Sequence, residues 1–212
     1  RSCLVGSEMC IRDSLQVADV IANTTHPNED ISRRNLANIE KTWSYVIFLQ
    51  AVSRYLVVKE SLSELDKDYD YARCSFMHYA RWMLENESPY LDRSETLDYP
   101  NYTWTAQDVR KVYLLNFASR YCGEREATRF ISKAEAIRAR IVDDASTTDE
   151  AGYSRFIAIL MQSPIVKPDS SALRDQRFDQ YDTTVFSDYR IRGSELIIML
   201  SLIHISEPTR QD

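Results

Sequence analysis

Between Ser88 and Arg110 the chain gathers Tyr90, Tyr99, Tyr102 and Trp104 among Asp92, Glu95, Asp98 and Asp108, with Asn101 and Gln107 interspersed. That mixture suits a sugar. Pyranose rings present C–H-rich faces that pack on the electron-rich faces of Tyr and Trp, and carboxylates and carboxamides take hydrogen bonds from hydroxyl groups. On this ground Tyr99, Asn101, Tyr102, Trp104 and Gln107 are the candidate substrate-binding residues. Glycoside hydrolysis needs two carboxyl groups across the scissile bond, roughly 5 to 10 Å apart according to mechanism. Asp108 and Asp98 offer one member of such a pair and Glu40 the other. The same residue types have plain structural uses: Trp43 and Trp104 as core anchors, Asp108 as a helix-capping carboxylate, the loop acids as solvated side chains.

Other chemistries find less support. His26, His78 and His204 are scattered, and Cys74 and Cys122 lie far apart without a CxxC partner. The sequence therefore shows no metal-ligand cluster and implies no cofactor; both cysteines read as buried free thiols. A formal net charge of -6, with no basic run longer than Arg33-Arg34, argues against nucleic acid as a partner. The apolar stretch Ser194 to Ile205 carries Glu195 and His204 and falls short of the roughly 20 residues a membrane span needs.

The elements that must position the loop are helices. With 4 glycines and 6 prolines in 212 residues, the chain has few breakers and reads as all-α. A short periodic stretch, Leu15 to Ile21, precedes a turn-rich break at Asn23 to Asp30. Helical spacing then predicts a first long helix from Ser32, as N-cap, to Ser61. A polar connection to Lys67 and a cap at Asp68 predict a second helix over Tyr69 to Glu87, and a capping-box-like Thr105-Ala-Gln-Asp108 opens a third that runs to Tyr121. Gly123 is placed for positive φ at its end. A fourth helix covers Glu126 to Asp143 and a fifth Tyr153 to Gln162, stopped by Pro164. Trp43, Phe48, Phe76, Phe117 and Phe130 are the expected shared core.

Thr42-Trp43 followed by Ser53-Arg54-Tyr55 is echoed by Thr103-Trp104 followed by Ser119-Arg120-Tyr121. A period of this size suits stacked antiparallel αα-hairpins. Alternating broad-faced and narrow-faced helices, with an aromatic, acidic loop entering a broad-faced one, resemble part of the (α/α) toroid of bacterial glycoside hydrolases, polysaccharide lyases and sugar epimerases. The resemblance covers about residues 32–162. It implies a fragment of a carbohydrate-active protein that binds an oligosaccharide at Tyr99 to Trp104, with Asp108 beside it. The alternative is a helical-repeat interaction module whose groove takes a peptide or partner protein.

Domain organisation follows from the same reading. Residues 1–14 and 200–212 resemble translated sequencing-adapter read-through and are expected to add nothing specific to the fold. The helical domain is expected over 15–162, and the polar stretch 163–199 as an irregular or partly ordered segment. The natural protein is expected to extend beyond both ends, so no compartment is assigned.

Overall fold

A computed structural model describes residues 16–147, 153–162 and Phe186. The expectations for 1–14, 163–199 (Phe186 apart) and 200–212 lie outside these residues. Among the described residues all regular structure is helical and no strand occurs, so the chain is all-α. The helices are α1 (16–24), α2 (Ile39–Thr42), α3 (Tyr45–Ser61), α4 (Lys67–Asn86), α5 (Thr103–Ala118), α6 (Glu124–Thr147) and α7 (Tyr153–Gln162), with 3-10 turns at Ile31–Arg34 and Ser119–Tyr121 and a 3-10 stretch over Tyr90–Thr96 that is kinked at Arg93. Two compact units divide the described residues: one holds Tyr55–Ser75 with α1 and Phe186, the other Asp30–Arg54 with 76–147 and 153–162.

In the first unit the Tyr71 hydroxyl donates to the Thr25 carbonyl at 2.6 Å, and its ring meets His26 and Phe186 edge-on. The turn that separates α3 from α4 is a Schellman motif, in which Glu64 N–H donates to Lys59 O and Ser63 N–H to Glu60 O. Ser63 takes the left-handed conformation the motif demands, φ 58°. Lys59, buried at the same turn, donates to Glu64 (3.0 Å) and Asp66 (2.6 Å). Burial works against its ammonium, but the two carboxylates outweigh it and hold the pKa above the ordinary lysine value. Asp66 also caps α4 by accepting from Tyr69 N–H.

In the second unit α5 is the inner element. Twelve of its residues are buried, including Asp108, Arg110 and Lys111. Side-chain pairs give the helix directions. Trp43 meets Trp104 and Ser53 meets Tyr113, so α3 runs parallel to α5; Tyr102 meets Phe156 and Arg110 meets Gln162, so α7 does too. Phe76 meets Phe117 while Glu87 meets Lys111, which makes α4 antiparallel to α5. Thr105 bonds Asp144, so α6 is antiparallel as well, and Arg81–Glu126 with Glu85–Arg129 zip α4 to α6 side by side. The short connections 62–66 and 119–123 turn the chain back between α3 and α4 and between α5 and α6. Within this unit α3, α5 and α7 form one layer and α4 and α6 a second. On α6 the buried face is Ala127, Phe130, Ala134, Ile137 and Ile141, spaced three and four apart as an amphipathic helix requires.

Several expectations are corrected. The long first helix is broken: Asn35 turns the chain at φ 50°, Asp30 caps the 3-10 turn, Asn38 caps α2, and the bonds across Trp43 and Ser44 shorten to i−3 before α3 begins. Short Asx side chains bind nearby N–H groups and compete with helix propagation, so Ser32 is not the cap. Helix α5 starts two residues earlier than Thr105, because Asn101 Oδ1 already accepts from Thr103 N–H. Thr105 and Asp108 are therefore interior positions. Gly123 does not take positive φ; it stands ahead of α6, its carbonyl accepting from Ala127 N–H. The two Thr-Trp pairs are not equivalent, one closing α2 and the other opening α5. Phe76, Phe117 and Phe130 are buried as expected, whereas Trp43 and Phe48 are only half-buried.

Truncation of Phe117, which touches Phe76, Tyr113 and Tyr121, is expected to cost about 3–5 kcal/mol in Phe117→Ala; denaturant unfolding measures it. Ser63→Gly is expected to stabilise the protein by about 0.5–1 kcal/mol, because glycine adopts the left-handed cap without a Cβ clash. A lower unfolding midpoint in Ser63→Gly would contradict the assigned turn.

Candidate functional site

The loop from Ser88 to Tyr102 has a buried root and an exposed tip. Tyr90 and Leu97 pack with Ile39 in a small core of their own, with Trp43, Leu91 and Trp104 against it. Apolar side chains at both ends of the 3-10 turn drive that packing, since the loop lies on α2 rather than in solvent. Beyond Leu97 the chain leaves the surface, and Tyr99 at the tip is 80% exposed.

The tip is nonetheless held. Asp98 N–H donates to Glu40 Oε1 at 2.9 Å, and the Tyr99 carbonyl accepts from Asn101 Nδ2 (2.9 Å) and Trp104 Nε1 (3.2 Å). Asn101 thus binds in two directions, to Tyr99 through its amide nitrogen and to Thr103 through its oxygen. Trp104 stands edge-on between Trp43 (6.1 Å) and Tyr90 (5.3 Å). An aromatic ring on a clamped backbone loses little conformational freedom on binding, which favours affinity.

The root is organised by charge. Lys111, 0% exposed, donates to Ser88 O (2.7 Å), pairs with Glu87 Oε2 (2.8 Å) and lies 3.2 Å from the Tyr90 ring centroid. Asp108 Oδ1 is 2.9 Å from the same ammonium, an ion-pair contact without hydrogen-bond alignment, while Oδ2 accepts from Tyr90 N–H. Glu87 also accepts from Tyr45 Oη (2.7 Å) and from Arg93. Burial pushes the Asp108 carboxyl up to about 6, against the pull of Lys111, and Glu87 adds to the rise. Burial, then Glu87, likewise raises the Tyr45 and Tyr90 phenols well above their ordinary value.

The sequence-predicted residues separate into these two places. Tyr99, Asn101, Trp104, Asp98 and Glu40 gather at the tip. Tyr102 is buried, stacked on Phe156 at 4.7 Å, and Gln107 accepts from Arg110. Asp108 is buried at the root, so it does not share a surface with Tyr99 and Glu40. The expected binding site at Tyr99 to Trp104 with Asp108 beside it is therefore not formed as one surface: α5 begins early enough to turn Tyr102 and Asp108 inward. Glu87, Lys111, Tyr45 and Arg110 were not anticipated. A signal existed, because Asp108 and Lys111 fall on the same helical stripe as Leu115, where a charged residue must find a partner. Among the described residues no group of three or more His, Cys, Asp or Glu is placed to hold a metal, and no helix is long and apolar enough to cross a membrane. Cys74 and Cys122 are free and buried. No family model, curated protein or solved structure matches the chain.

Lys111→Met leaves buried Asp108 without its cation and Glu87 with Arg93 alone, and is expected to cost about 3–5 kcal/mol. Adding Glu87→Gln and Asp108→Asn should restore most of that loss; a triple variant no more stable than the single would show that the charges are not the cause. Asp108, whose pKa is raised in the fold from 3.8 to about 6, favours folding when protonated, so its contribution is full below about pH 4 and lost as pH rises through about 6. That difference corresponds to on the order of 3 kcal/mol. Unfolding midpoints across this window should slope downward with pH for the wild type and flatten in Asp108→Asn.

Proposed function

We propose that this chain is part of a bacterial carbohydrate-active protein of the (α/α) kind, a hydrolase, lyase or epimerase, and that it binds an oligosaccharide at the tip of the loop from Ser88 to Tyr102. The observation that carries the reading is Tyr99: a tyrosine ring 80% exposed on a backbone clamped by Glu40, Asn101 and Trp104. A sugar face stacks on such a ring, and Asp98 and the second carboxylate oxygen of Glu40 lie beside it to take hydroxyl hydrogen bonds. The parallel run of α3, α5 and α7, with α4 and α6 antiparallel to it, is the arrangement an (α/α) array needs and supports the architectural part of the proposal. The role at this tip is binding. Asp108 belongs to the folded core and is not assigned to catalysis.

Titration of the protein with xylan-, cellulose- and polygalacturonate-derived hexasaccharides, followed by tryptophan emission, reads the site through Trp104. Wild type is expected to respond to at least one, and Tyr99→Ala to weaken that binding roughly tenfold or more with an unchanged melting temperature. Equal affinity in Tyr99→Ala, or no response to any of the three, would remove the loop tip as a sugar site.

A further inference from the structure

Four cations are buried among the described residues: Lys59, Arg73, Arg110 and Lys111. Lys59 meets Glu64 and Asp66, Arg73 meets Asp70, and Lys111 meets Glu87 and Asp108. Arg110, 5% exposed, meets no carboxylate among the described residues, only carboxamides. Its Nη1 donates to the carboxamide of Gln107 and its Nη2 to that of Gln162 at 3.1 Å, while Nε has no acceptor. Carboxamides satisfy donor geometry but leave the charge uncompensated, and a buried charge without a counter-charge is costly. Burial accordingly pulls the Arg110 pKa below its ordinary value.

The open donor lies where recognition would use it. Nε and Nη2 form the side-on edge of a guanidinium, the pair of parallel N–H groups that matches the two oxygens of a carboxylate or phosphate. Half of that edge is unpartnered and the other half is held only by Gln162, an exposed residue at the end of α7. A second guanidinium converges on the same residue, since Arg54 Nη2 lies 3.4 Å from the Gln162 carbonyl. Two cations thus meet one neutral residue, Arg110 at its side-chain carboxamide and Arg54 at its main-chain carbonyl.

We propose that the side-on edge of Arg110, with Arg54 across Gln162, is a binding site for a carboxylate or other oxyanion, which displaces the Gln162 carboxamide and accepts from Nε and Nη2. The site stands apart from the Tyr99 tip and does not depend on the sugar reading. The oxyanion comes either as a free inorganic ion or as the acidic group of a larger ligand, such as a uronic acid unit.

Calorimetric titration of the full chain at constant ionic strength, with inorganic phosphate, with hexagalacturonate and with its methyl ester, separates the sources. Wild type is expected to bind phosphate, hexagalacturonate or both, and the uncharged ester more weakly than the acid. Arg110→Gln, which keeps hydrogen bonding but removes the charge, is expected to lose roughly tenfold or more in affinity. Arg54→Ala alters an exposed residue and is expected to lose several-fold, whereas Gln162→Ala removes the competing carboxamide and is expected to tighten binding. Should Arg110→Gln fail to fold, the opposite signs of the other two variants decide. Phosphate binding alone identifies a free-ion site; acid-specific hexasaccharide binding identifies a ligand carboxylate. The proposal is overturned if neither anion binds wild type, or if Arg54→Ala and Gln162→Ala bind as wild type does.

Discussion

A lysine ammonium with no access to water dictates much of the second unit. Removing such a charge from water costs several kcal/mol after relaxation, and only close, well-placed partners offset it. Lys111 finds them in three places: Glu87 and Ser88, the two residues that follow α4, the turn of α5 that carries Asp108, and the face of Tyr90. Each partner has its own constraint. Glu87 must stay at the end of α4, where its own N–H still bonds Met83 O. Tyr90 must enter the loop with its N–H on Asp108 and its ring under the ammonium. The end of one helix, the start of the loop and the inner helix are thereby fixed relative to one another.

A firm root lets the loop carry an exposed aromatic at its tip. Tyr90, Tyr99 and Tyr102 have the same chemistry and different fates, set by where the backbone is tied. Tyr90 is tied to Asp108 and goes inside; Tyr102 precedes the first turn of α5 and lies on Phe156; Tyr99 falls between the Glu40 and Asn101 clamps and points out. The loop resembles a compact Ω-type connection, which packs its own side chains and offers what is left to a ligand.

The two layers place charge unevenly. Between α4 and α6 the pairs Arg81–Glu126 and Glu85–Arg129 are half or more exposed on at least one side and contribute little to stability. Inside, the cluster at Lys111 balances its charges closely, whereas Arg110, one residue earlier and turned toward α7, is met only by carboxamides. Adjacent residues on one helix point about 100° apart, so one step along α5 moves from a neutralised environment to an unneutralised one.

By itself the sequence determined the helical class, since the scarcity of glycine and proline and the three-and-four spacing of apolar residues depend on nothing beyond the neighbouring turn. Tyr153–Gln162, the buried face of α6 and the break between Ser61 and Lys67 were legible for that reason. Helix ends were less so, because Asp30, Asn38, Asp66 and Asn101 compete with neighbouring capping residues and only the final backbone path selects among them. Tertiary structure alone decided which aromatic stayed in solvent and which carboxylates met. Helical period tells which residues share a face, but not which face of another helix it will meet. Glu87 and Lys111 belong to different helices, and the desolvation that binds them, and that raises Asp108 beside them, exists only once α4, the loop and α5 have closed over the charge.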